Sequence, residues 1–364
     1  MVFNCFCKLL IVKTTIKLSL HFITISLLLM SLFISNAFTK DDSIHNYIDQ
    51  ANGANRSTTT GSEADPFKSI TYSILKNKNT SEPLFLHIKS GVYDADPSKK
   101  ANEREIFPIE LKNGMTIQGD DGVDNCIFNS NSKAAILRGE YLSDILIKNL
   151  TLKNMHRTSG GNGGGCEFIR CSGKVEQCII QNNKAGDGGG IRLTVPNGDF
   201  FYLSENIVTG NTALSGKGGG LYIASTFKGD ISSNTFNDNS AKDGSGGGFC
   251  ISGDLYGNIL DNQFNNNSAT SSDGTWGGGF HVNAIFGNIQ GNVYNNNSSS
   301  NSGGGFYSNY LYGDLINNSF NDNSAKWGGA FFVHITLVGN ITTNIFNNNS
   351  ATNYVDFESD FLNF

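Results

Sequence analysis

The sequence predicts an all-β chain wound as a parallel β-helix, a solenoid, and three observations predict it. One phrase recurs at nearly fixed spacing along the second half of the chain. Its apolar residues alternate over only a few positions, as in short strands. Asn and Gly stand between those strands, where a chain must turn sharply. A composition of 43 Gly against 5 Pro would suggest disorder without a period, and here the glycines are periodic.

The chain of 364 residues opens with Lys8, Lys13 and Lys17, the apolar run "LSLHFITISLLLMSLFIS" and Ser35-Asn36-Ala37. A basic start, a greasy middle and a small-x-small site predict a secretory signal peptide over residues 1–37. An uncleaved anchor is the alternative, because the run approaches the ~20 residues that span a bilayer. Cleavage removes three Lys and no carboxylate from a chain with 26 Lys+Arg and 32 Asp+Glu, which leaves a net charge of −9. So acidic a chain is not drawn to nucleic acid. No transmembrane segment is expected after residue 37. Cys126, Cys166, Cys171, Cys178 and Cys250 remain, odd in number and without zinc spacing. They are either a partial disulfide framework or small apolar residues of the core.

In "DPFKSITYSILKN", Asp65 as N-cap, Pro66 at the first helical position and apolar residues at 67, 70, 74 and 75 predict a short amphipathic helix. It would cap the open end of the first coil, where exposed strand edges invite aggregation. "LFLHIKSGVY" (84–93) reads as the first strand, and "MTIQGDDGVDNCIFNSN" (115–131) and "ILIKNLTLKN" (145–154) as irregular coils. Asp120-Asp121 lies between glycines and reads as a turn.

The repeats begin at Gly229, Gly257, Gly287, Gly313 and Gly339, giving units of 28, 30, 26 and 26 residues. Two residues on stands Ile231, Ile259, Ile289, Leu315 or Ile341, and five on Asn234, Asn262, Asn292, Asn318 or Asn344. Seven on stands Phe236, Phe264, Tyr294, Phe320 or Phe346, and ten on Asn239, Asn267, Asn297, Asn323 or Asn349. Positions +2 and +7 have opposite parity, so no straight strand could point both inward. A bend at the +5 Asn resolves this, with the amide bonding to the copies above and below. The second Asn marks another corner and the glycine run a third. Three short strands and three corners make one coil, with coils stacked about 4.8 Å apart.

Two resemblances extend this reading. "YIDQANGANRSTTTGSEADPFKSITYSI…LHIKSGVY…FPIELKNGMTIQGDDG" (47–122) resembles the N-terminal part of DUF1565-type proteins of the pectin-lyase-like superfamily. Residues 163–351 are similar to the repeats of chlamydial polymorphic outer membrane proteins, which pair GGA(I/L/V) with FxxN. FxxN is met at Phe236–Asn239, Phe264–Asn267, Phe320–Asn323 and Phe346–Asn349; GGA is mostly Gly-Gly-Gly here, with Gly328-Gly329-Ala330 nearest. The resemblances imply a right-handed parallel β-helix displayed at or beyond the cell surface, as an adhesin-like passenger. Those proteins end in a β-barrel translocator, and no such run of strands is read here. The resulting division is a signal peptide (1–37), an N-terminal cap with first coils (38–122), the β-helix (123–353) and a tail (354–364).

With Phe249 and Ile251 inward, the strand after each glycine run presents an outward column of Glu167, Arg192, Tyr222, Cys250, His281, Tyr307 and Phe332. A second column holds Ile169, Thr194, Ala224, Ser252, Asn283, Asn309 and His334. Glycoside hydrolysis needs paired carboxylates, and these columns supply one, Glu167. Elimination from uronates needs a base beside an acidic calcium cluster, which this face lacks. Asp230 and Asp314 share a column with Asn258, Asn288 and Asn340 and read as corner caps. His281 and His334 lie in different columns without a third ligand, so no metal and no cofactor is expected. The aromatics in file either stack on sugar rings or a partner's surface, or lie beneath the variable stretches that precede the glycine runs. The expected binding face is Glu167, Arg192, Tyr222, His281, Asn283, Tyr307, Asn309 and Phe332. The expected ligand is a carbohydrate or a cell-surface partner. A carbohydrate-active enzyme working near Glu167 and Arg192 is the alternative.

Overall fold

The inward residues of the repeat fall into vertical files, one residue per coil, and the files define four parallel sheets. The structure, a computed structural model, describes residues 43–353 except 133, 158–162 and 272–273, together with the backbone of 357–359. The expected signal peptide and most of the expected tail lie outside the described residues. The architecture is a right-handed parallel β-solenoid.

An Ile sheet of 11 strands runs from Ile44–Ile48 to Ile341–Thr342 and stacks Leu203, Ile231, Ile259, Ile289, Leu315 and Ile341 in register. A ring sheet of 10 strands stacks Val208, Phe236, Phe264, Tyr294, Phe320 and Phe346. A long sheet follows the glycine runs and stacks Leu221, Phe249, Phe280, Phe306 and Phe331. Ring planes in both aromatic files are nearly parallel, with Phe249 and Phe280 centroids 4.7 Å apart at 0° and Tyr294 and Phe320 4.5 Å apart at 2°. The two files meet at a tilt, Phe264 against Phe280 at 54°, so the interior is filled by interleaved rings.

The fourth sheet corrects the expected three-strand coil. Seven two- to four-residue strands, such as Ser240–Ala241 and Ser268–Ala269, turn Ala185, Ala213, Ala241 and Ala269 into the core. Two residues are too few to show a period, and a buried Ala carries little hydrophobic signal.

The corners differ from expectation by one residue. The left-handed backbone falls on Ser233, Asp261, Gly291, Asn317 and Thr343, the residue before each +5 Asn, and on Asp238, Asn266, Asn296, Asp322 and Asn348 before each second Asn. This frees the Asn side chains to point inward. Asn234 donates its backbone N–H and its Nδ2 to Asn262 Oδ1 at 2.9 and 3.2 Å, and its Nδ2 also reaches Leu203 O at 2.9 Å. The pattern repeats through Asn206–Asn344 and through Asn183–Asn349, satisfying buried polar groups that a turn would otherwise orphan. The Asp230, Asn258, Asn288, Asp314 and Asn340 column forms the expected outer ladder, with Asn258 N–H donating to Asp230 Oδ1 at 2.7 Å. In the glycine runs, Gly246 adopts φ +72°, and a Cβ on Gly247 would stand 2.4 Å from the Gly278 carbonyl oxygen of the next coil.

The helix spans Ile70–Lys76, and its N-cap is Ser69, not Asp65. Ser69 Oγ accepts from Tyr72 N–H at 3.3 Å, while the buried Glu105 accepts from the N–H groups of Ile70 and Thr71 at 2.9 and 2.8 Å. Asp65 is spent on a turn, accepting from Thr60 N–H at 2.8 Å, and Pro66-Phe67 continue extended to bridge Ile48. The helix packs Ile70 into the core beside the terminal strand of the Ile sheet, where Asn46 Nδ2 donates to Ser73 Oγ at 3.1 Å. All five described cysteines are unpaired and buried, which decides for the core reading over disulfides. Among the described residues, no helix is long and apolar enough to cross a membrane.

Candidate functional site

The outward face of the long sheet carries the expected column in register: Glu167, Arg192, Tyr222, Cys250, His281, Tyr307 and Phe332 face one another coil by coil. The column extends below Glu167 through Arg138 to Glu110, which the sequence reading did not place on it. Its lower half is ionic and its upper half aromatic.

In the lower half, Arg138 Nη1 lies 3.8 Å from Glu110 Oε1 and also pairs with Glu140, and Arg192 Nη1 lies 3.9 Å from Glu167 Oε1. Burial pushes the Glu167 carboxyl up, against the pull of Arg157, Arg138 and Arg192. The Nε atoms of Arg138 and Arg192 are buried with no hydrogen-bond partner among the described residues.

In the upper half, the file is more covered than an open contact surface. Tyr222 is half-buried, with its hydroxyl 3.0 Å from Ser252 Oγ. Cys250, His281, Tyr307 and Phe332 are buried. Cys250 Sγ lies 3.5 Å from His281 Nδ1; burial pushes the thiol up to about 12 and the imidazole down to about 3, so both are neutral at pH 7. Tyr307 stacks on Phe332 at 5.7 Å and 3°, and its hydroxyl donates to Asn309 Oδ1 at 2.8 Å. Over His281 and Tyr307 the cover comes from the stretch before the glycine run at 277–279: the Trp276 ring lies 5.8 Å from His281 and 5.6 Å from Tyr307.

The second column is displaced by a bulge between Ile251 and Asp254. Asn283 Nδ2 therefore donates to Asp254 Oδ1 at 2.8 Å, and not to Ser252, while Asn309 Nδ2 donates to Asn283 Oδ1 at 2.9 Å. These amides are tied to one another.

Beside the covered file lies a groove of about 390 Å³, lined by Trp276, Asn301, Ser302, Tyr307, Trp327, Phe332 and His334. The position before the glycine run supplies its walls. Trp276, Ser302 and Trp327 are bridged to one another on three successive coils. These are the only two tryptophans in the chain, and each stands directly before a glycine run, a signal present in the sequence and not used above. A second overlooked position, the residue before each repeat glycine, carries the exposed ring stack Tyr256, Phe286 and Tyr312, with centroids 4.5 and 4.8 Å apart. Among the described residues, no group of three or more His, Cys, Asp or Glu side chains is arranged to hold a metal ion.

Residues 106–253 match the family described as the right handed beta helix region. No curated protein and no solved structure matches the chain. Fold and match together define a right-handed parallel β-solenoid. Fold alone does not decide function.

Proposed function

We propose that the chain is an exported, adhesin-like binding module that engages a carbohydrate or cell-surface ligand through the upper half of the outward face of its long sheet. The observation that carries this reading is the groove at Trp276 and Trp327, flanked by Tyr307 and Phe332 of the expected file. Aromatic side chains with one exposed surface and nearby polar groups are how proteins hold sugar rings and partner side chains. Export is supported by the basic, apolar and small-residue pattern of residues 1–37. Surface display is supported by the likeness of residues 163–351 to outer membrane protein repeats, and of 47–122 to DUF1565-type chains. On this reading the helix Ile70–Lys76 caps the solenoid once the leader is removed.

The test is retention of the full secreted chain on a panel of polysaccharides and on cells. Trp276→Ala together with Trp327→Ala is expected to abolish retention while leaving the circular dichroism spectrum unchanged. Undiminished retention would place the contact elsewhere. Tyr222→Ala with Tyr307→Ala should weaken retention less, because both rings are partly covered.

A second reading, a carbohydrate-active enzyme, is favoured by one observation. Glu167 is half-buried between arginines with its carboxyl pushed toward the protonated form, and Glu110 and Glu140 stand nearby on the same face. Release of reducing ends or unsaturated products from any polysaccharide, lost in Glu167→Gln, would establish it over the binding reading.

A further inference from the structure

Consecutive rings in one file of this protein stack at 4.5–5.3 Å, as Phe236, Phe264, Tyr294 and Phe320 do. The file Trp276, Ser302, Trp327 has the same coil-by-coil bridging with its middle ring missing. The two indoles are thus anchored about 9.6 Å apart, two coil rises of about 4.8 Å. The gap between them is about one ring thick plus a stacking distance on each side. Tyr307 and Phe332 close its inner side, and the groove volume of about 390 Å³ falls within the roughly 300–1,000 Å³ of small-molecule clefts.

The chemistry of the lining selects among rings. None of the described lining residues carries a carboxylate, an ammonium or a guanidinium. His281, beneath Trp276, is held neutral by burial. Lys326 stands 6.0 Å from the Trp327 ring centroid and does not line the groove. His334 is the one basic side chain of the lining, and no lysine or arginine stands there to pair with a uronate. Among the described residues, neither the Asn301 side-chain amide nor the Ser302 hydroxyl has a protein hydrogen-bond partner. They remain as unspent donors and acceptors at the floor.

We propose that this slot binds a neutral pyranose of β-gluco configuration, clamped between Trp276 and Trp327, with ring hydroxyls taken up by Asn301 and Ser302. The configuration follows from the two walls. A pyranose whose substituents are all equatorial presents axial C–H bonds on both faces and stacks on both indoles. An axial hydroxyl, as in galactose, spoils one face. The inference rests on the binding reading given above and narrows it to one sugar class.

Intrinsic tryptophan fluorescence reports on this slot alone, since the chain has only 2 Trp. Titration of the full chain with cellotetraose is expected to shift and quench the emission. β-1,4-Galactotetraose and tetragalacturonate should bind weaker by on the order of tenfold or more. Ser302→Trp supplies the missing ring at a position whose file already accepts Trp on either side. It should fold with unchanged melting and lose cellotetraose binding, which separates an occupied slot from a damaged fold. Equal or tighter binding of the galactosyl or galacturonosyl tetramers, no response to any of the three, or retained binding in Ser302→Trp would overturn the sugar assignment. If the chain still holds some other ligand from the panel in a Trp276-dependent way, the binding reading stands while this one falls.

Discussion

Replacing Tyr294 by Phe should make the protein more stable. Tyr294 is fully buried in the ring file, 4.9 Å from Phe264 and 4.5 Å from Phe320, and among the described residues its hydroxyl has no hydrogen-bond partner. Burial pushes that hydroxyl's ionisation far above its ordinary range, so it stays neutral and still unpaired. An unpartnered buried hydroxyl costs about 1–3 kcal/mol, and removing it leaves the ring and both stacking contacts in place. The void left by one oxygen returns part of that, so a net gain of about 1 kcal/mol is expected. A solenoid of this length need not unfold in one step, so the informative assay is amide hydrogen exchange over residues 289–323 beside the urea midpoint. The reciprocal change, Phe264→Tyr, puts a hydroxyl one coil away in the same file and should cost a similar amount. A loss of stability in Tyr294→Phe would refute the reasoning, because it would mean that the hydroxyl has a partner inside the coil.

Four further outcomes are expected. Asn262→Ala removes the acceptor of Asn234 N–H and the donor to Ile231 O, and should cost about 2–5 kcal/mol, read as a fall in denaturation midpoint. Phe320→Ala opens a hole in the ring file and should cost about 3–5 kcal/mol by the same measurement. Ser69→Ala should destabilise by about 1 kcal/mol through loss of the helix cap, whereas Asp65→Ala should leave protection of the helical amides unchanged. His281 is held neutral by burial with its ionisation lowered to about 3, while the unfolded chain takes up a proton near the ordinary value of 6.5. Its contribution to stability is therefore complete above pH 6.5 and is lost as pH falls toward 3; His281→Leu should flatten the melting-temperature profile across that window.

The periodic part of the fold was legible because one residue per coil repeats in one chemical role. Positions +2 and +7 identify two inward files and the residue after the glycine run a third, and all three stack in the register read from the sequence. What was not legible is set by contacts between distant segments or by residues with weak signatures. The Ala file is two residues wide and nearly silent in hydropathy. The helix begins at Ser69 because Glu105, 35 residues away, satisfies its first N–H groups, and no local pattern announces that. Asn lies adjacent to the left-handed residue at the corners, and both types favour turns, so the two roles were assigned to one position. The outward column stacks in the register read from the sequence, and of the two readings left open for its rings, open or covered, Trp276 favours the covered one for His281 and Tyr307.

Each buried Asn amide joins three successive turns, as Asn234 does by reaching back to Leu203 O and forward to Asn262 Oδ1. Excising one such residue severs the join, but excising a whole increment, such as 257–286, returns a like amide to a like carbonyl. Length in this molecule is therefore counted in whole turns, and duplication or loss of a turn in the gene would lengthen or shorten the rod without asking the interior for a new solution.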